Sequence, residues 1–299
     1  MKKTPILFVC TALMLTGCSG ATATISDKDK TIMTIGNTTY TKGDEYDLLK
    51  ISTGTDLTME LVKQSIYKKE VKVTKSMKKK AQKQIDNYKE NMSDFNDQIK
   101  SLGYNSTDAY MNKVLIPSLQ ASELTEKYFT DAKKDIQKKY KPSKARIIQC
   151  ENKATAKKAL KALKNGTDPE EVAKQYMVDS AKYSGKETLV TTKTTDVSTR
   201  LINTLYKTKK AGVIDEVFTN ESSGTTYAYV TVLVTNSYKD IKDEVYTSLS
   251  SDDDITKASL VYYLKKYNFE VHDQDVFNNL KTNNPEYLVS RPDLSKSKD

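Results

Sequence analysis

Three cysteines and a single histidine hold most of the capacity for nucleophilic, redox or metal chemistry in this chain. Cys10, Cys18 and Cys150 are widely separated, and His272 stands near the C-terminus with Asp273 and Asp275. No nucleophile or acid–base constellation accompanies His272, so it reads as a surface residue rather than a base. No cofactor is expected. The chemistry left to the chain is that of binding surfaces and of a few isolated side chains.

Cys18 is set apart by what precedes it. Lys2 and Lys3 make a short positive start, and Ile6 to Leu15 an apolar run too short to span a bilayer. Leu15-Thr16-Gly17-Cys18 then resembles a lipobox, the processing signal of bacterial lipoproteins. The resemblance implies removal of residues 1–17, a diacylglyceryl group on the Cys18 sulfur, palmitate included, and a place on the outer face of a cell membrane of Gram-positive type. The alternative is an ordinary cleaved signal in which Cys18 is incidental. Residues 18–31 are small, polar and charged, as suits a tether. Cys10 leaves with the signal, so Cys150 is the one thiol left. It has no partner for an intramolecular disulfide and is expected to be buried. One Cys and one His do not make a standard zinc cluster, so no metal site is expected.

The composition is that of a soluble, helix-rich chain: 37% hydrophobic, 29% charged, with no Trp and 19 Tyr. Net charge is +9, or +7 once Lys2 and Lys3 are removed. Outside a cell that balance suits an anionic membrane surface or wall polymer. A nucleic-acid partner is not expected: no motif is present, and the basic residues are spread over helical faces.

The elements follow from local signals. Ile32 to Tyr40 reads as a strand, a Gly36-Asn37 turn and a return, and Thr41 caps a helix with acids in its first turn. From about 56 to 140 the pattern is helical. Met77, Ala81, Ile85, Tyr88, Met92, Phe95, Ile99 and Leu102 recur every three or four residues and share a face, which reads as core before it reads as a binding surface. Ser93 is a candidate cap splitting this run, Gly103 suits a helix end, and Pro117 predicts a kink or break. From 142 the texture changes. A strand at 145–150 is followed by a Lys-rich helix at 154–164, and Asp168-Pro169-Glu170-Glu171 starts another helix. Next come a strand near Leu189, a short helix at 197–205, an extended stretch at 213–218, a turn at 222–224 and a strand at 227–234. After 238 the chain returns to helix. Phe269-Glu270-Val271 reads as a short strand, 275–280 as a last helix, and the end as a frayed polar tail.

This order of elements, with Ile32-Met33-Thr34-Ile35-Gly36-Asn37 at its head and the run from Val71-Lys72-Val73-Thr74 to Gly103-Tyr104 within it, resembles the PrsA-type foldase lipoproteins. The resemblance implies an α+β protein: a helical arm (32–141), an inserted parvulin-like domain (142–238), a C-terminal helical part packing on the N-terminal one (239–285), and a polar tail (286–299). In the family the first parvulin strand reads Ala-Ser-His-Ile-Leu and the last Gly-Tyr-His-Ile-Ile. Here they read Ala145-Arg146-Ile147-Ile148-Gln149 and Ala228-Tyr229-Val230-Thr231-Val232, so Ile147 and Val230 stand where the two histidines belong. The acidic or thiol position falls on Asp179, the apolar pocket positions near Val197 and Leu201, and the Gly-rich loop shrinks to Ser184-Gly185. Ile147, Val197, Leu201 and Val230 are thus the expected pocket lining, and Asp179 the remaining candidate catalytic group. Its alternative is a loop carboxylate or cap.

Prolyl isomerisation makes and breaks no bonds. It twists an amide over a barrier of about 20 kcal/mol, and a catalyst must prefer the twisted carbonyl. Without the histidine pair, Asp179 has nothing to act through. The first expectation is therefore a foldase that shelters unfolded exported proteins, with weak or absent isomerase activity. The second is an active isomerase working through shape, and the third a structural or ligand-binding lipoprotein. A solute-binding protein would need two α/β lobes, which are not seen. The implied partners are unfolded exported proteins, the membrane through the lipid anchor, and anionic wall polymers; a homodimer is compatible with the sequence.

Overall fold

The computed structural model describes residues 24–222 and 225–295. The expected signal peptide, Cys18 and the first part of the tether lie outside the described residues, as do 223–224 of the expected turn and the last four residues of the tail. The architecture is α+β, as the sequence predicts. Strands β1 (Thr31–Ile35) and β2 (Thr38–Thr41) lead into helices α1 (Lys42–Leu49), α2 (Thr55–Glu70), α3 (Lys75–Asn91), α4 (Phe95–Ser101), α5 (Thr107–Tyr110), α6 (Ile116–Asp131) and α7 (Lys133–Tyr140). A mixed segment follows: β3 (Ser143–Cys150), α8 (Lys153–Lys164), α9 (Pro169–Tyr176), β4 (Ser184–Val190), α10 (Thr199–Lys207), β5 (Gly212–Val213), β6 (Phe218–Ser222) and β7 (Thr225–Thr235). The chain ends with α11 (Tyr238–Leu249), α12 (Asp253–Lys266) and α13 (Gln274–Asn283).

Among the described residues two compact units emerge, one of residues 24–72 with 260–295 and one spanning residues 73–259. The expected boundaries at 141/142 and 238/239 both fall inside the second unit.

In the first unit β1 and β2 form an antiparallel hairpin through the Gly36 turn. Thr41 caps α1 with a full capping box: its amide donates to Asp44 Oδ2 at 2.8 Å and its hydroxyl accepts from the Asp44 amide at 3.2 Å. A π-helical turn, Lys50–Gly54, joins α1 to α2 without a break. Glu70, at the end of α2, accepts from Lys266 at 2.5 Å and from the Tyr267 hydroxyl at 2.6 Å. The strand expected at Phe269–Val271 does not form: Asn268 turns left-handed at φ +48 and 269–273 joins no ladder. The tail is not simply frayed either, since Pro285 opens a 3-10 turn and Leu288 is only 3% exposed.

In the second unit Thr74 caps α3, and Met77, Ala81, Ile85, Phe95 and Ile99 of the expected stripe are buried. Leu102 at its end is exposed, because the chain turns away there at Gly103. The split falls at Met92, with Asp94 rather than Ser93 preceding α4. Pro117 lies in the first turn of α6, behind a π turn at Met111–Leu115 that absorbs its missing amide.

The sheet has the order β4-β3-β7-β5, with β6 also on β7, and every pairing is antiparallel. Helices α8 and α9 cover one face over Ile148, Cys150, Ala228 and Val230; α10 covers the other over Ala145, Ile147 and Tyr229. The Tyr238 hydroxyl of α11 donates to the Phe129 carbonyl of α6 at 2.7 Å, and two ion pairs bind the helices of this unit to the sheet segment, Lys144 with Glu244 at 2.6 Å and Lys193 with Asp252 at 2.8 Å.

Candidate functional site

Strand pairing decides what the expected isomerase positions can do. Side chains alternate across a strand, so residues of β3 and β7 share a face only when their register agrees. Ile147 lies opposite Thr231, whereas Val230 lies opposite Ile148. Ile147 therefore joins Val197 and Leu201 under α10, in one buried cluster with Tyr183, Leu205 and Tyr229. Val230 packs on the other face with Ala156, Ala159 and Val172. The expected set of four is divided: three positions meet, and Val230 does not line a pocket with them. The residues of β7 that do share the face of Ile147 are Tyr229, Thr231 and Leu233, with Tyr227 packed against the same cluster. Period-two alternation counted from the sheet partner would have found them; a motif match alone did not.

All four expected residues are buried, so a prolyl ring would have to displace Val197 or Leu201 to reach Ile147. Asp179 is exposed in the turn after α9 and lies outside this cluster. Ser184-Gly185 opens β4 rather than a loop. Gly185 has φ +80, and a Cβ there would lie 2.4 Å from the Pro169 carbonyl oxygen. The glycine lets β4 cross the start of α9, where Arg146 reaches Glu170 at 3.3 Å and Glu187 at 3.0 Å.

The polar groups on the Ile147 face are different ones. The Tyr183 hydroxyl donates to Asp196 Oδ1 at 2.9 Å, and Lys182 Nζ lies 2.6 Å from Oδ2. Burial pushes the Asp196 carboxyl up, but Lys182 and Tyr183 hold it below its ordinary value on balance. Burial, then the hydrogen bond to Asp196, raises the Tyr183 phenol, and burial raises Tyr229 to about 12. Burial likewise lifts the Cys150 thiol to about 11, which leaves it unreactive. The buried Thr231 hydroxyl has no hydrogen-bond partner among the described residues. This is a packed face with one tied polar cluster, not an open cup.

Open apolar surface lies in the first unit. A groove of about 620 Å³ runs between α1, α2 and the segment before α13, floored by Tyr46, Leu49, Leu57, Leu61, Phe269 and Val276. Leu57 is 58% exposed and Leu61 66%, and Ile51 in the π turn reaches 80%. The hairpin adds Met33 and Ile35, both exposed. A second groove of about 320 Å³ continues past Leu61 to Val62, Ile66 and Leu264. His272 sits on the rim with its ring 85% exposed, 3.8 Å from Glu270. Among the described residues no group of His, Cys, Asp and Glu is placed to hold a metal ion, and no helix is long and apolar enough to cross a membrane.

Fold and surface together define an α+β protein with a helix-covered antiparallel sheet in one unit and an apolar groove in the other. Its relatives carry one name. The chain is 27% identical to "Foldase protein PrsA" of Pediococcus pentosaceus, over 93% of this chain and 95% of the relative. It is 26% identical to the protein of the same name from Bacillus subtilis, over 94% and 95%. A Bacillus cereus crystal structure described as peptidylprolyl isomerase (PrsA) covers 85% of this chain and 98% of its own, at 22% identity and a TM-score of 0.48. No family model matches. The resemblance to PrsA-type foldases extends over nearly the whole chain.

Proposed function

We propose that this protein is an extracytoplasmic foldase of the chaperone kind, assisting exported proteins and held on the outer face of the cell membrane by a lipid on Cys18. The observation that carries the reading is the near end-to-end alignment with two proteins named as PrsA foldases. The exposed apolar groove of the first unit is the surface offered to clients. Burying an extended apolar segment there would release about 25 cal/mol per Å² of apolar area, enough for weak, reversible holding.

The domain built on β3, α8–α10 and β4–β7 is parvulin-like in this reading, with weak or no prolyl isomerase activity. The buried Ile147, Val197 and Leu201 and the exposed Asp179 support that. Electrostatic stabilisation of the twisted amide requires preorganised donors around a dry open site, and this face is filled with side chains.

The test is the proline-limited slow phase in refolding of a small model protein, with residues 19–299 added. Catalytic amounts should leave the rate unchanged, while near-stoichiometric amounts raise the folded yield and suppress aggregation. Acceleration of the slow phase at catalytic amounts would make the protein an isomerase. Absence of any effect on rate, yield or aggregation would leave a structural lipoprotein.

A further inference from the structure

Residues 31–41 carry no charge, in a chain of which 29% is charged. They form the β1–β2 hairpin, and all of them but Thr41 are exposed. The register sorts their side chains. Met33 lies opposite Tyr40 and Ile35 opposite Thr38, so these four share one face; Thr34 and Thr39, paired with each other, share the other. Met33 is 60% exposed, Ile35 70% and Tyr40 43%. A two-stranded hairpin is marginal by itself in water, and large apolar side chains gathered on one open face mark a contact surface.

The chain leading into the hairpin says what that surface meets. The Ser26 carbonyl accepts from Lys42 Nζ at 2.9 Å, the Lys28 carbonyl from the Gly43 amide at 2.7 Å, and the Lys30 carbonyl from the Lys42 amide at 2.8 Å. A Cβ on Gly43 would crowd the Lys28 carbonyl oxygen at 3.0 Å, so the close approach depends on the glycine. The expected tether, 18–31, is therefore fastened to the start of α1 from Ser26 onward. Cys18 to Ser26 is eight residues (26 − 18), which span at most about 28 Å. A five-residue strand carries the hairpin about 17 Å from root to tip. With a lipid on Cys18, the reading on which this inference rests, the hairpin root is held close to the headgroups and the tip is within reach of them.

The chemistry of the hairpin fits that neighbour. No charge between Lys30 and Lys42 has to leave water. Tyr40 has the apolar ring and polar tip that settle at headgroup level. Open strand edges exclude passage into the hydrocarbon core, where backbone groups need partners, but allow a flat position at the interface, where water and headgroups supply them. We propose that the Met33, Ile35 and Tyr40 face of the hairpin lies on the outer leaflet beside the anchor and fixes how the first unit stands on the membrane. The contact is apolar and does not require anionic lipid.

The chain has no Trp, so one introduced residue reports alone. The test joins residues 18–299 through Cys18 to a maleimide lipid in phosphatidylcholine vesicles; Cys150 is buried and does not compete. Ile35→Trp and Thr34→Trp place the reporter on opposite faces of the same strand, at the same distance from the anchor. With brominated lipid Ile35→Trp should be quenched at least about twofold more than Thr34→Trp, since an interfacial element sinks its apolar face about 5–10 Å and leaves the other in water. Emission from Ile35→Trp should also move to the blue, Met33→Ser in that background should reduce both effects, and salt or added phosphatidylglycerol should change them little. Equal quenching at the two positions would reduce the effect to nearness of the anchor and overturn the proposal. So would absence of quenching at both, or a blue shift that grows with protein density without quenching, which would assign the face to a second copy of the chain. Coupling installs the anchor chemically, so these outcomes stand apart from the lipidation of Cys18, which the mass of the mature protein from a secreting bacterium reads separately.

Discussion

Lys50 and Asp273, far apart in sequence, meet at 2.7 Å with side chains only 9% and 13% exposed, and Asp275 approaches the same ammonium at 2.7 Å. Asp273 also caps α13 through the amides of Asp275 and Val276. One lysine in the π turn thus ties the last long helix to the first ones, at the edge of the apolar groove.

Replacing Lys50 with Met should therefore destabilise the first unit by about 2–3 kcal/mol, below the full penalty for a buried pair because Asp275 is half exposed. Burial alone would lower the Lys50 pKa, but the two carboxylates raise it above its ordinary value. A raised pKa means the contribution is complete below the unfolded value near 10.5 and fades only as pH rises through the folded one. Thermal melts at pH 7 should show the loss; an unchanged melting temperature would remove the clasp from the account.

Tyr183→Phe should cost about 1 kcal/mol by removing the hydrogen bond to Asp196. The raised Tyr183 and Tyr229 phenols favour the folded state below pH 10 and withdraw that support as pH climbs past it. Ultraviolet titration should find phenols that ionise late in the folded protein and normally in denaturant, with one fewer in the variant.

Ile147→His should not restore isomerase activity. It would bury an imidazole opposite Thr231, at a cost of about 2–4 kcal/mol that grows as pH falls below ~6.5 and the ring must stay neutral. Adding Val230→His places the second ring on the other face of the sheet, so the pair cannot meet. Refolding assays on the single and double variants check this, and acceleration by the double variant would refute the register argument.

Gly185→Ala should be among the most damaging small changes in the second unit, at roughly 2–4 kcal/mol, since both the positive φ and the 2.4 Å approach to Pro169 oppose a methyl group. Asp179→Ala, in an exposed turn, should stay within about 0.5 kcal/mol and leave chaperone activity intact. Denaturant melts of the two side by side test both.

Local signals were legible in the residues alone, because each acts within one turn. Thr41 with Asp44, and Asp168 with Pro169 and the Glu170 amide 2.8 Å from its carboxylate, start their helices where the spacing places them. So did the stripe from Met77 to Ile99, since a 3.6-residue period and burial on one face are the same fact. The order of elements followed from the same local signals, and resemblance along the chain added the expected domain layout. The tertiary structure alone decided which face Val230 takes, because strand register depends on a partner eighty residues away. It decided likewise that Phe269–Val271 stays out of any sheet, that Leu288 is buried in an otherwise polar tail, and that Lys50 finds Asp273. Each of these is a contact between segments distant in sequence, and periodicity within one segment holds no information about the other.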